Sequence, residues 1–335
     1  MSNVPPVLET SAPPPLPNFK DRRTGLVVFG ILEILMGVLC VLMAGFVILG
    51  QAMIARTSGA AMDTQTLIPA ILSYVALATT FVWLGIGSIK CRRWARALIL
   101  ILAWCWLFTG VVSVPLTGVV LPRAMAAAAP NGQALPPGVV ITMVIFQLLF
   151  MTVMFVVLPA VLVFFHRSPH VKATCEARDP VRRWTDACPL PVLGVSCVLW
   201  LGSVMMASLP LAGRGTMPFF GTLLSGWTGS LVALSMAGLW IWIGFAWYRL
   251  KVSGWWALLA AVILLCLSSF ITFSRVDISE MYQKMGYSQA QIDLIRQHNI
   301  ISSSLMTWSS MFMLVLMVVY LVWAKRFFQP RPRTQ

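Results

Sequence analysis

One carboxyl group, that of Glu33, is the residue of this sequence most able to do chemistry. It is the ninth residue of an apolar run at 25–50, and no other Asp, Glu, Lys, Arg or His lies inside any of the long apolar segments of the chain. If the run crosses a bilayer, an ionised carboxylate at this depth costs at least about 2.5–3.5 kcal/mol. The protonated, neutral acid is therefore the expected state.

The sequence leaves two interpretations of Glu33 open. The carboxyl is either a proton or cation site that faces a polar cavity, or a neutral group hydrogen-bonded to a neighbouring Ser or Thr. Small residues share its helical stripe: Gly30, Gly37, Cys40 and Ala44. Such a stripe allows another helix to approach closely. A hydrated cavity between two halves of the protein would favour the first interpretation.

A second group of potentially reactive residues lies in a polar linker at 166–189. His166, His170, Cys175 and Cys188 follow the spacing H-x3-H-x4-C-x12-C. Two imidazoles and two thiolates are a chemically suitable ligand set for tetrahedral zinc, although the linker lacks a C-x2-C knuckle. Zinc is the only cofactor for which the sequence offers ligands.

The alternative for this linker is contact with lipid. Basic and aromatic residues suited to anionic headgroups occur in it and in the preceding basic connection: Arg92, Arg93, Arg182, Arg183 and Trp184. Cationic side chains near a membrane surface are attracted to anionic lipid, and indole rings favour the interface. Membrane lipids are therefore the expected partners, and the basic residues do not indicate nucleic acid.

The linker also carries a resemblance. From Arg167 to Leu193 it reads RSPHVKATCEARDPVRRWTDACPLPVL. This run resembles that of a group of uncharacterised bacterial polytopic inner-membrane proteins; the helices resemble theirs only loosely. The resemblance implies a multi-pass protein of bacterial origin and implies no particular activity.

Hydroxyl groups are concentrated at the start of the last apolar segment, where Ser303, Thr307 and Ser310 are candidates to line a cavity. They could equally bond across helices or to carbonyls of their own helix. Just before them, residues 274–299 are predicted to form two short helices, which would be a lid or an interfacial hairpin.

These residues are positioned by eight apolar segments, which predict an all-α membrane protein. Of the 335 residues, 59% are hydrophobic and only 10% are charged, which is far from the composition of a soluble domain. The segments lie at 25–50, 67–89, 97–121, 138–165, 190–212, 218–248, 254–273 and 300–324. Each has about the 20 residues that a bilayer crossing requires.

The distribution of basic residues predicts the orientation. Eighteen Lys and Arg residues lie in the tail at 1–24, the even-numbered connections and the tail at 325–335, against six in the other connections. By the positive-inside rule, both termini and the linker face the cytoplasm of a bacterial inner membrane. The 1–24 tail is rich in proline and predicted to be disordered.

The chain also repeats itself at about 160 residues. Trp83-Leu84-Gly85 and Trp242-Ile243-Gly244 both precede a short basic connection. Segments 25–165 and 190–324 would then be parallel four-helix repeats joined by the linker.

Two functions from different classes fit this sequence. The first is a translocator of a small solute or lipid with Glu33 in its pathway. The second is a non-transporting scaffold or sensor that acts through the linker and the outer helices; a homo-oligomer is compatible with either. Enzymatic activity is not predicted, because the three histidines lie outside the apolar segments, intramembrane carboxylate pairs are absent, and so is a phosphate-binding G-x4-G-K loop.

Overall fold

A computed structural model describes residues 19–58, 64–127, 136–212, 214–287, 289, 292–293 and 303–328. The helices are α1 (Arg23–Ser58), α2 (Thr64–Ile89), α3 (Arg93–Ala127), α4 (Pro137–Thr152), α5 (Leu158–Arg167), α6 (Pro169–Arg178), α7 (Leu190–Ala212), α8 (Gly226–Tyr248), α9 (Val252–Arg275), α10 (Ile278–Met285) and α11 (Ser303–Ala324). A π-helical turn, Val153–Val157, joins α4 to α5, and strands β1 (Met217–Phe219) and β2 (Thr222–Leu224) precede α8. Most of the 1–24 tail and all of 329–335 lie outside the described residues.

The chain is a multi-pass α-helical membrane protein. Within the described ranges, eight helical spans are long and apolar enough to cross a bilayer, with α4, the π-helical turn and α5 forming one of them. Their outer faces carry many exposed large apolar side chains, which lipid can solvate and water cannot. The eight predicted segments are confirmed, with shifted ends.

The basic connections gather at one end of the bundle. Asp21 pairs with Arg178 at 2.8 Å, and the Tyr248 hydroxyl donates to the Trp184 carbonyl oxygen at 2.9 Å. This end is called the linker end below. The opposite end carries β1, β2 and α10 and is called the hairpin end.

Helices pack in pairs within each half of the chain. α1 packs along α2 and α3 packs against α4 and α5, while α7 packs along α8 and α9 packs against α11. The two halves meet where α2 and α3 contact α7. The core of the second half also includes Ala97 and Ile101 of α3, so the two halves share one buried interface.

The predicted repeat is confirmed at the two central turns. The α2–α3 turn and the α8–α9 turn have the same length, and each helix end in one lies 159 residues from its counterpart in the other. Cys91 and Leu250, also 159 residues apart, both adopt the left-handed conformation, with φ of 53° and 54°. Non-glycine residues rarely take this conformation, so its presence at both sites marks a common turn.

Side-chain contacts follow the same 159-residue offset. Arg96 Nε donates to the His166 carbonyl oxygen at 3.1 Å, and Trp255 Nε1 donates to the Leu321 carbonyl oxygen at 2.8 Å. In each half, a residue near the start of the third helix thus bonds to the end of the fourth.

A pair of small residues is exchanged between the two turns. A Cβ atom added at Gly87 would lie 2.5 Å from the Cβ of Ala95, and one added at Gly254 would lie 2.7 Å from the Cβ of Ala246. The glycine is on the second helix in the first half and on the third helix in the second half. One glycine is therefore needed at each crossing, and either helix can supply it.

The hairpin end holds an element that hydrophobic periodicity did not predict. Residues 218–225 were assigned to the sixth apolar segment, but β1 and β2 pair antiparallel there, with Phe219 opposite Thr222. The tip of this hairpin binds α9: Phe220 N–H donates to Ser268 Oγ at 2.9 Å and Gly221 N–H to Thr272 Oγ1 at 3.0 Å. These hydroxyls satisfy main-chain donors that lipid could not.

The outer segment at 274–299 is described only in part. α10 forms the first of the two predicted helices, capped by Asp277 and ended by Gly286 in the left-handed region, with φ of 96°. Lys284 Nζ donates to the Leu223 carbonyl oxygen at 3.0 Å, which joins α10 to the hairpin. The second predicted helix lies outside the described residues, apart from three isolated positions.

Candidate functional site

Glu33 lies where α1 and α2 cross most closely. A Cβ atom at Gly30 would be 2.7 Å from the Gly85 carbonyl oxygen, and one at Gly85 would be 2.6 Å from the Gly30 carbonyl oxygen. Further along α1, a Cβ atom at Gly37 would be 3.0 Å from the Ala78 carbonyl oxygen. The prediction that the small-residue stripe of α1 receives another helix is confirmed.

The carboxyl of Glu33 points into a small apolar cavity in the first half of the protein. Only 4% of the residue is exposed, and the cavity has room for about one water molecule. Its other lining residues come from α2, α3 and α5: Phe81, Leu84, Ile99, Leu102, Ala103, Trp106 and Leu162. The cavity therefore lies inside one four-helix unit, not between the two halves.

Both carboxyl oxygens of Glu33 are buried and have no hydrogen-bond partner among the described residues. This environment matches neither interpretation drawn from the sequence in full, since the cavity lining is apolar and no Ser or Thr hydroxyl reaches the carboxyl. A neutral acid in such a site can release its proton only to water or to a base that enters the cavity, and its carboxylate would then attract a cation. Proton exchange is the chemistry this arrangement allows.

Trp106 connects the cavity to the irregular turn in the fourth span. Its ring lies 5.8 Å from that of Phe81 and meets the ring of Phe155, in the π-helical turn, edge-on at 6.1 Å. A Cβ atom at Gly110 would collide with the Phe155 carbonyl oxygen, so α3 approaches the turn at main-chain contact distance. π-Helical turns often occur at functional sites, and no sequence signal revealed this one.

The linker is docked on the α2–α3 turn by ion pairs around Asp179. Arg92 and Arg183 each place a guanidinium nitrogen 3.3 Å from Asp179 Oδ1, and Arg93 N–H donates to Asp179 Oδ2 at 3.3 Å. Arg93 also pairs with Glu176 at 3.2 Å. Three of the predicted headgroup-binding residues thus bind carboxylates of the protein itself, whereas Arg182 and Trp184 are exposed.

Docking is expected to depend on the charge of Asp179. Although burial opposes ionisation, hydrogen bonds from Arg183 and the Arg93 N–H, with the charges of Arg183 and Arg92, hold the pKa of Asp179 below its ordinary value. An acid whose pKa is lowered by folding stabilises the fold above its unfolded-state pKa. That stabilisation is lost as the pH falls through the lowered value, so strong acid should release the linker.

Replacing Asp179 with asparagine should loosen the linker at neutral pH, because two arginines lose their buried counter-ion. In a variant whose only cysteine is Cys175, which is 1% exposed, we expect labelling by a hydrophilic maleimide to accelerate roughly tenfold or more. Glu280→Gln removes a carboxylate that pairs with Lys284 at the hairpin end and serves as the matched control. Equal labelling in Asp179→Asn and the parent would show that these ion pairs do not hold the linker.

The four predicted zinc ligands are not brought together. His166 Nδ1 lies 3.0 Å from the Leu162 carbonyl oxygen, and His170 Nδ1 accepts from the Lys20 N–H at 3.4 Å. Cys175 packs with Leu26, Cys91 and Val171, whereas Cys188 belongs to the core of the second half. In the part of the chain that the structure describes, no three His, Cys, Asp or Glu side chains are placed to hold a metal ion.

The hydroxyl groups of the last span are placed in part. Ser310 Oγ donates to the Met306 carbonyl oxygen of its own helix at 2.9 Å, which is the alternative that the sequence left open. Thr307 is half-buried on the same helix. The side chain of Ser303 lies outside the described part of the structure.

Comparison with protein-family models, with curated proteins and with solved structures found no match to the chain. The site has to be interpreted from its own geometry.

Proposed function

We propose that this protein translocates a small solute or lipid across the bacterial inner membrane and that Glu33 exchanges a proton during the cycle. The observation that supports this function is the unpaired, buried carboxyl in a cavity enclosed by four spans. An uncompensated carboxyl lowers the stability of a membrane protein, and a bundle this apolar could replace it with leucine. Retention of the acid is explained if its protonation state changes as the protein works.

The proposed orientation puts the linker end in the cytoplasm. The support is the excess of basic residues at that end, eighteen against six, which follows the positive-inside rule. Exposed cations there, including Arg182, are proposed to contact anionic headgroups. We propose no enzymatic activity for the chain.

Proton flux into liposomes tests the function. Purified protein is reconstituted with a trapped pH-sensitive dye, and a potassium gradient with a potassium ionophore sets an inside-negative potential. We expect wild-type vesicles to acidify faster than empty ones and Glu33→Gln to reduce the rate to that of empty vesicles, because glutamine cannot release a proton.

The control for this experiment is Glu280→Gln, the same chemical change at the hairpin end. It should leave the flux at the wild-type rate. If Glu33→Gln vesicles acidify as fast as the wild type, Glu33 is not a proton-exchange site and the proposed function fails.

A scaffold or sensor is the second candidate, and the docked linker is the observation that favours it. The ion pairs of Asp179 give a charged segment two definable states, docked and released. This candidate gains if proton flux is absent from the wild type while release of the linker changes with pH or with anionic lipid.

A further inference from the structure

We propose that His166 relays protons between Glu33 and the linker end of the protein. This inference rests on the function proposed above and adds the route by which the proton reaches the carboxyl. The support is that the same four-helix unit buries a second ionisable side chain with an unpaired nitrogen, about one helical turn from the first.

His166 is adjacent to the Glu33 cavity through two residues. Its ring centroid lies 5.9 Å from that of Phe29, and Phe29 precedes Glu33 by one turn of α1, about 6 Å along the helix axis. Leu162, whose carbonyl oxygen contacts His166 Nδ1, also lines the cavity. The imidazole is therefore one turn closer to the linker end than the carboxyl, a separation that about one or two water molecules can span.

The contacts of His166 define which nitrogen can accept a proton. A carbonyl oxygen can only accept, so the 3.0 Å contact with Leu162 requires the proton on Nδ1. In the neutral ring, Nε2 then carries a lone pair. This nitrogen is buried without a hydrogen-bond partner among the described side chains and main-chain groups, and the residue is 0% exposed. A buried acceptor with no partner is costly, and a transient proton or water would satisfy it.

The relay step conserves atoms and charge. Glu33 releases its carboxylic proton through a water molecule in the cavity and becomes a carboxylate, while His166 Nε2 gains a proton and becomes an imidazolium. The imidazolium keeps its Nδ1–H bond to Leu162. Release of a proton toward the linker end restores the neutral ring, and the reverse sequence reloads Glu33.

The groups around His166 come from three helices. α1 contributes Phe29 and α3 contributes Arg96, whose charge disfavours the imidazolium and so limits its lifetime. α6 contributes Cys175, packed in the cluster against Phe165, and burial raises the pKa of this thiol to about 12. The thiol stays neutral at physiological pH, so His166 is the base available to a proton leaving the cavity on this side.

The test uses the liposome assay with His166→Phe, which keeps a ring beside Phe29 and Phe165 but cannot carry a proton. We expect its proton flux to fall at least tenfold, with an unchanged elution profile in detergent. His170→Phe makes the same change four residues away and should retain the wild-type flux. His166→Gly should also lose flux and recover it when imidazole is added to the buffer, a recovery that a purely structural role would not produce.

The outcomes separate this inference from the proposed function. If His166→Phe conducts like the wild type while Glu33→Gln does not, the relay is wrong and the function stands. If His166→Gly loses flux and imidazole fails to restore it, the histidine is structural and the relay is wrong. If Glu33→Gln conducts like the wild type, the proposed function itself has failed.

Discussion

Replacing Glu33 with leucine is expected to make the protein more stable while abolishing its proton flux. Leucine matches the apolar lining of the cavity and removes two buried oxygens that have no partner among the described residues. Relief of such an unsatisfied polar group contributes about 1–3 kcal/mol. Thermal unfolding in detergent, followed by aggregation or intrinsic fluorescence, should therefore shift upward by a few degrees.

Glu33→Gln is the matched variant for this experiment. Its amide has the shape of the acid and stays unsatisfied, so its unfolding temperature should remain close to that of the wild type. A lower unfolding temperature for Glu33→Leu would mean that the carboxyl makes a stabilising hydrogen bond. Glu33 would then belong to the packing of α1 and not to a proton pathway.

A leucine at Gly85 should prevent α1 and α2 from packing. The new Cβ would lie 2.6 Å from the Gly30 carbonyl oxygen and 2.8 Å from Ile34 Cγ1, and a main-chain oxygen within a helix cannot move aside. Overpacking of this kind destabilises by about 3 kcal/mol or more. We expect most of the Gly85→Leu protein to elute as aggregate in detergent.

Gly45→Leu is the control for Gly85→Leu. Gly45 also lies on α1, and no atom is within 4 Å of the Cβ position there. The side chain would point to lipid, so the elution profile should match that of the wild type. A monodisperse Gly85→Leu protein would contradict the close crossing on which the position of Glu33 depends.

The architecture could be predicted because one physical requirement dominates it. A segment of 20 or more uncharged residues satisfies its main-chain groups in lipid only as a helix, and the eight segments followed from that alone. Glu33 was identified by the same reasoning, since an ionisable residue in such a segment is an exception. The repeat followed from the basic connections, and the two turns at Cys91 and Leu250 confirm it.

The environment of Glu33 could not be predicted, because it depends on which helices meet. Nothing in the sequence shows that α2, α3 and α5 close around the carboxyl with apolar side chains. The β-hairpin before α8 was missed for a related reason. Residues 217–224 are apolar enough to extend a helix, and only the Ser268 and Thr272 hydroxyls of α9 make a non-helical main chain tolerable there.

His166 was misjudged because of a helix end. The apolar segment was ended at residue 165, which assigned the histidine to a polar linker and to a zinc hypothesis. α5 continues to Arg167, and this extension of two residues places the imidazole in the core. Helix ends are the least certain feature of a sequence pattern, and here two residues separate an exposed ligand from a buried base.

Infrared spectroscopy of the purified protein tests the central claim that Glu33 is a neutral acid that exchanges its proton. The other nine carboxylates of the chain lie outside the apolar segments and should be ionised at neutral pH. The wild type is therefore expected to show a protonated carboxylic-acid carbonyl band that Glu33→Gln lacks, and that band should shift in D₂O. The absence of the band, or a band that does not shift in D₂O, would contradict the claim.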